Sequence, residues 1–357
     1  MEAIQLCSGV EAHTSSVSRA ASRCSPLSRR STAIVPARMV CMRQLIVVAD
    51  DLGICEQRDA GILQCLADGF VSSTCVLANG ATAACALSTC LQRGHDVGLH
   101  LNLTAGRSLA PPSSITDATG MFLGKQGLRQ AIARGDVDEM DVAIEIRAQV
   151  KWFAERNAGR APTWCNGHNH VHVYPVIAAV FAREMQTFGV TGTRMCVQSS
   201  HHPSPPNPAT DRTPFHLQIT ADAAASAAIF ARHALKWPPA FAGFNVFGCS
   251  DVQCMADEVN AAFQSARVVE LMCHVGRAGS GDTGFGADDV CATLQLRVIA
   301  CLTAAQDAFN SSLDREHELR CLASMRLSAL TSSSLISFSK MLAAHSACSA
   351  SVQGMSH

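Results

Sequence analysis

Three polar clusters in this chain each close a short apolar run. They are Asp50-Asp51 after LIVVA, His100 within VGLHLNL, and NGHNHVH (residues 166–172) after a run beginning at Thr163. The first and last lie far apart in sequence. Their carboxylate and imidazole groups meet only if the fold gathers strand ends at one place. An α/β barrel does so, because its loops converge at the C-terminal ends of parallel strands. Gathered there, these groups would make the chain a metal-dependent enzyme, since imidazole and carboxylate both bind divalent ions.

The remaining pattern fits such a fold. Leu45–Ala49, Val71–Leu77, Val97–Leu103, Thr163–Cys165, Thr191–Cys196 and Val268–Cys273 read as strands. Helical spacing falls between them at Asp59–Asp68, Ala81–Arg93, Val142–Arg156 and Pro175–Phe188. Alternation of strand and helix with short links predicts an α/β fold on a parallel sheet. Two segments interrupt it. Residues 199–214 are rich in proline and must be loop, and residues 104–125 read the same way. Long loops inside a compact domain are often lids or binding loops.

Composition narrows the class. With 28 basic and 29 acidic residues the net charge is −1, which asks for neither nucleic acid nor an anionic membrane. No run of 18 or more apolar residues predicts a membrane span. The 17 cysteines form no C-x-x-C pair, so they read as reduced, mostly buried side chains. Residues 1–42 are a separate segment, rich in Ser, Ala and Arg, with Glu2 and Glu11 their only acids. That composition suits an organellar transit peptide; the alternatives are a disordered extension or a start at Met39 or Met42. A single domain is expected over 43–342, with a disordered tail at 343–357.

At the clusters, Asp50 and Asp51 should point in different directions, because strand side chains alternate. One would bind a metal and the other would stay free as a base; N-capping of a helix by Asp51, with Gly53 in a turn, is the alternative. Asn102 and Thr104 follow His100 on the same face. In extended backbone His168, His170 and His172 would all face one side, with Asn166 and Asn169 near enough to orient them. His274 and Arg194 also fall at strand ends.

Taken together, IVVADDLGI, VSSTCVLANG, DVGLHLNLTAG, RAPTWCNGHNHVHVYP, FGVTGTRM, VELMCHVG, DREHELRCL and LISF resemble the YdjC-like carbohydrate deacetylase family. The resemblance implies a distorted TIM-like (β/α) barrel and a divalent ion, usually Mg2+. It also implies removal of acetyl groups from N-acetylglucosamine units of short sugars. Matched by position, Asp51, His100 and His168 resemble the metal ligands, Asp50 the general base, and His274 the second acid/base group. Arg194 matches an arginine that holds the base or the substrate. Asn102, Asn166, His170 and His172 are then supporting or substrate-facing residues. Members of the family can pair as dimers. This chain departs from the pattern at Asn166, where the family often has Asp, and at Val275, where Pro is usual. Residues 287–306 look inserted.

A donor set of this kind also suits Zn2+ or Mn2+. Two other functions fit the pattern: a sugar-binding homologue that has lost catalysis, and a metal-dependent phosphoesterase on the same barrel. Aromatic residues make up only 5% of the chain, which favours a short sugar over a long stacked polymer.

Overall fold

The computed structural model describes residues 42–198, 213–246, 252–277, 313–328 and 333–353. All but the last residue of the 1–42 segment read as a transit peptide or extension, and residues 287–306 read as an insertion, lie outside the described residues. The described residues belong to one compact unit, Cys41–His357.

Strand and helix alternate through that unit. The elements are β1 (Arg43–Leu52), α1 (Glu56–Ala67), β2 (Ser73–Val76), α2 (Ala83–Gln92), β3 (Asp96–Leu101), α3 (Gly124–Arg134) and α4 (Glu139–Arg156). There follow β4 (Trp164–Gly167), a 3-10 helix (His168–Val173), α5 (Ile177–Thr187), β5 (Gly192–Thr193) and α6 (Thr213–Arg232). The series ends with β6 (Ala240–Ala242), α7 (Val252–Ser265), β7 (Val268–Cys273), α8 (Leu313–Ser328), β8 (Ser333–Leu335) and α9 (Phe338–Gln353). The strands run in the order β5-β4-β3-β2-β1-β7-β6, with β8 paired to β1, and every pairing is parallel. This curled sheet forms a half-barrel surrounded by helices, in keeping with the distorted TIM-like barrel expected.

Strand β1 lies at the centre, and Leu45 to Leu52 are all buried. Such an apolar run on both faces is what a parallel strand covered on each side requires. Its alternation separates two cores. Leu45, Val47 and Ala49 join the large core shared with the helices. Ile46 and Val48 point the other way, into a smaller cluster with Cys75, Trp164, Phe338, Met341 and Leu342. Helix α9 therefore plugs the inside of the curl, and Trp164 stacks on Phe338 at 4.6 Å. Glycine makes the room: a Cβ on Gly98 would come within 2.4 Å of the Trp164 ring. Burying each such aliphatic side chain is worth roughly 1.5–3 kcal/mol.

Two readings of the sequence change here. Helix α9 continues to Gln353, past the boundary drawn at residue 342; its start is anchored by Phe338, Met341 and Leu342 in the inner cluster. The 104–125 loop gives way to α3 at Gly124, and the loop itself is braced. Bridges join Arg107 to Met121 and Thr116 to Phe122. From α4, Glu145 accepts from the N–H groups of Leu109 and Ala110 at 3.1 and 2.8 Å. Helix α4 itself starts at Asp138, whose side chain accepts from Met140 N at 2.7 Å, a normal N-cap.

Candidate metal centre

The inner face of the curl changes character at its C-terminal end. Continuing the series of Ile46 and Val48 on β1 brings up Asp50. Its surroundings come from neighbouring strand ends: Cys75, His100, Asn166, Arg194 and Glu270. An apolar interior is thus capped by a charged and polar layer, all of it buried.

Arg194 organises that layer. Its Nη1 and Nη2 donate to the two Asp50 oxygens at 2.6 and 2.9 Å, and its Nε donates to Glu270 Oε1 at 2.6 Å. Charge-assisted, two-pronged pairs of this kind are the strong ones. Burial raises the Asp50 pKa, but Arg194 and then His100 outweigh it and hold the carboxyl below the usual carboxylate range. At Glu270 the balance reverses, and burial pushes the pKa up despite Arg194. The Cys75 thiol donates to Asp50 at 3.3 Å.

Asp51 has other partners, and the left-handed backbone and register shift at the end of β1, rather than regular alternation, place it. Its Oδ1 lies 3.0 Å from His168 Nδ1 and 3.3 Å from His100 Nε2. Its Oδ2 is 3.9 Å from Arg58. Burial raises its pKa, yet the bonds from His100 and His168 bring the net well below the ordinary value. The backbone at Asp51 is left-handed, with φ +70°. That conformation costs a non-glycine residue about 1–3 kcal/mol and is found mostly at functional sites. Asp51 does not cap α1: the N-cap is Cys55, and Gly53 N donates instead to Asp59 Oδ1 at 2.6 Å.

Asp51, His100 and His168 each offer a ligand atom within 4.8 Å of the others. One carboxylate and two imidazoles, all buried, form a donor set that fits a divalent ion. Asn166 fixes His100 from behind, its amide 2.7 Å from Nδ1. With the amide nitrogen turned to that Nδ1, the Asn166 oxygen accepts from Arg194 at 3.1 and 3.2 Å. Asn166, where the family often has Asp, therefore ties His100 to the Asp50–Arg194 pair. A second grouping, Asp50, Cys75 and His100, also comes within 4.8 Å. Asp50 is already committed to Arg194 there, and burial drives the Cys75 thiol well above its usual value, so it stays protonated.

The histidine run differs most from expectation. Extended backbone would put three rings on one side. Instead the chain turns into a 3-10 helix from His168 to Val173, with Asn169 and His170 at φ +50° and +58°. Gly167 permits the turn, because a Cβ there would sit 2.8 Å from His172 N. The three rings diverge. Only His168 meets Asp51. His170 Nδ1 lies 3.2 Å from Cys196 Sγ, and its ring meets Phe244 edge-on at 5.2 Å. His172 packs beside Phe181 and Phe230, and its Nε2 donates to the Arg194 carbonyl at 3.0 Å. Burial lowers the pKa of His170 well below the ordinary value and that of His172 to about 3.

Asn102 is a loop brace. Its Nδ2 donates to Asn79 Oδ1 and the Ala105 carbonyl, and its Oδ1 accepts from the N–H groups of Thr104 and Ala105. Asn169 donates to Thr104 Oγ1 at 3.1 Å. His274 stands at the end of β7, close enough to Asp50 and Asp51 to lower both their pKa values. Burial brings its own pKa down to about 4, opposed by Asp51, Glu318 and Asp50.

Charged residues that the sequence pattern did not single out complete the site: Arg58, Glu270, Arg315 and Glu318. Glu270 carried a signal, being an acid alone in the apolar strand VVELMC. A lone buried acid requires a partner. Arg58 and Arg315 sit in helices with ordinary polar neighbours, so only their complete burial marks them.

Known proteins can now be set beside this geometry. The family model described as YdjC-like protein matches residues 44–333. A carbohydrate deacetylase of Homo sapiens is 36% identical over 301 residues, covering 80% of this chain and 86% of that protein. A chitooligosaccharide deacetylase of Yersinia pestis is 40% identical over 145 residues, covering 39% of this chain and 56% of that protein. Among solved structures, an Enterococcus faecalis protein assigned to cellobiose-phosphate cleavage matches with a TM-score of 0.58 at 17% identity. It covers 84% of this chain and 99% of its own. At that identity the likeness concerns the fold alone.

Proposed function

The chain belongs to the YdjC-like family, and from that premise we propose that it is a metal-dependent hydrolase removing acetyl groups from N-acetylated sugars. Short chito-oligosaccharides or related N-acetylglucosamine derivatives are the substrates proposed. The observation that carries this reading is the buried set of Asp51, His100 and His168, with Asp50 beside it. Its relatives named carbohydrate and chitooligosaccharide deacetylase support the choice of reaction.

Hydrolysis of an amide needs a polarised carbonyl, a base for the attacking water and a proton for the leaving nitrogen. Asp51, His100 and His168 would hold a divalent ion, Mg2+ by resemblance and Zn2+ or Mn2+ by donor chemistry, that supplies Lewis-acid polarisation. Asp50 is the base. Arg194 keeps it ionised at every pH near neutrality, which is the form that accepts a proton. His274 rests neutral, because burial holds its pKa near about 4. Asp50 takes the proton of the attacking water, that proton would pass to the neutral His274, and His274 would then deliver it to the leaving nitrogen, so the balance closes inside the site. Each such acid/base group is typically worth about 10²–10⁴-fold. Arg194 and Asn166 hold Asp50 and His100 in place, and His170 lines the aromatic wall with Phe244.

Acetate release from diacetylchitobiose, with and without magnesium, tests the reading. The expected result is release that needs the ion, is lost in Asp50→Asn, and leaves ion binding intact in that variant. Full activity in chelator-stripped protein would refute the metal role. Sugar binding without acetate release would point instead to a homologue that has lost catalysis.

A further inference from the structure

The backbone of His274 is gripped on both sides of its Cα by charged groups that the mechanism above does not use. Its N–H donates to Glu318 Oε2 at 2.6 Å. Its carbonyl accepts from Arg58 Nη1 and from Arg315 Nη1, each at 3.1 Å. Arg58, Arg315 and Glu318 are all 0% exposed. On α8, Arg315 and Glu318 lie one turn apart and 3.3 Å from each other. Arg58 comes from α1, at the other side of the strand end, and also approaches Asp51 at 3.9 Å.

The chain beyond His274 is held as tightly. Gly276 N donates to the Arg315 carbonyl at 3.4 Å, and Arg277 N donates to the Gln57 carbonyl at 3.0 Å. A Cβ on Gly61 of α1 would come within 2.5 Å of Gly276 Cα. The segment therefore threads between α1 and α8 with no slack. Burying three ionised groups costs several kcal/mol per ion before their mutual attraction is counted. A simple connection would not require it. What these groups provide is direction: bonds to the N–H before and the carbonyl after one Cα fix both flanking peptide planes, and so the direction in which the His274 side chain leaves the backbone.

We propose that Arg58, Arg315 and Glu318 are positioning residues that aim His274 at the leaving group, with Arg58 linking that aim to Asp51. The proposal rests on the reading of His274 as the proton donor. A positioning role predicts a defect in turnover rather than in sugar binding or folding.

The test measures kcat and KM for acetate release from diacetylchitobiose with magnesium, alongside the thermal midpoint. Glu318→Leu removes the acceptor, and kcat should fall about 100-fold, the low end of what an acid/base group contributes. KM should stay within about threefold, since uniform binding is untouched. Glu318→Gln keeps an acceptor oxygen and should recover most of the loss. Gly276→Ala is the milder variant if Glu318→Leu does not fold. Its methyl would sit 3.2 Å from Arg58 Cδ and 3.3 Å from Arg315 Cβ, nudging both. It should lower kcat with little change in thermal midpoint. Unchanged kcat in Gly276→Ala and in any folded Glu318 variant would overturn the proposal. So would losses that track the thermal midpoint without rescue by Glu318→Gln. Wild-type protein that releases no acetate would instead overturn the deacetylase reading itself.

Discussion

Replacing Arg194 by Met should expose how the charged layer is held. Arg194 is completely buried and makes three bonds of 2.6–2.9 Å to Asp50 and Glu270, which are buried too. Methionine fills much of the same space but leaves both carboxylates without their cation. Breaking one partner out of a buried ion pair typically costs about 3–5 kcal/mol. Against a typical total of about 5–15 kcal/mol, that is a large share. The sign with pH follows from the carboxyls. In the native protein Asp50 is depressed below its ordinary value of 3.8, so it contributes stability above that pH, lost as pH falls through its folded value. Without Arg194, only His100 and His274 still oppose burial and the Asp50 pKa rises, so the variant's penalty is largest at neutral pH and shrinks in acid. Urea midpoints at pH 7.5 and pH 5 measure both effects. Adding Glu270→Gln to the variant should recover about 1–3 kcal/mol, because one buried charge is gone. A loss below about 1 kcal/mol at pH 7.5 would refute the reasoning. An equal loss at both pH values would refute it as well.

Three further outcomes are expected. His168→Gln and Asp51→Asn should abolish divalent-ion binding measured by calorimetry, whereas His170→Gln, whose ring meets Cys196 and Phe244, should retain it; the reverse pattern would sink the ligand assignment. His172 and His274 are held neutral, at about 3 and about 4, against an ordinary 6.5. Their contribution to stability is complete above pH 6.5 and is lost as pH falls toward those values, at about 1.4 kcal/mol per pH unit for each group. His172→Phe should therefore show a smaller drop in thermal midpoint between pH 7 and pH 5 than wild type; an equal drop would contradict the assignment. Gly98→Ala would place a methyl 2.4–2.6 Å from the Trp164 ring. Overpacking of that kind costs about 1–3 kcal/mol, to be read from the urea midpoint; an unchanged midpoint would show that the inner cluster yields.

How much of the site was legible varies with the element. The strand-end acids were readable because two adjacent carboxylates after LIVVA need a reason to be there. Alternation predicts opposite directions, but the left-handed backbone at Asp51 and the register shift after Ala49 bring both acids to the His100 side, each with its own partners. The histidine run was read with the wrong backbone. Alternation along an extended chain places three rings together, but Gly167 lets the chain fold back, and left-handed Asn169 and His170 split the rings three ways. Arg315 and Glu318 lie in DREHELRCL, a motif matched by resemblance but given no role, and Arg58 carried no signal at all. A charged residue in a helix reads as solvated, and nothing local shows that a distant loop will bury it.

Sequence alone determined the alternating architecture, since short continuous apolar strand runs and helices of period 3.6 leave few ways to bury both. It also determined which chemistry was on offer, because acids and imidazoles closing apolar strands can be compensated only by one another or by a cation. Tertiary structure decided which of those groups meet. The β3–β4 register sets His100 opposite Asn166. The turn after Gly167 brings His168, alone of that run, to Asp51, while helices α1 and α8 grip the backbone on both sides of the His274 Cα. Those contacts span up to 216 residues of sequence, as between Arg58 and His274. Local propensity carries no information over such a distance; only packing of the whole sheet and its helices fixes it.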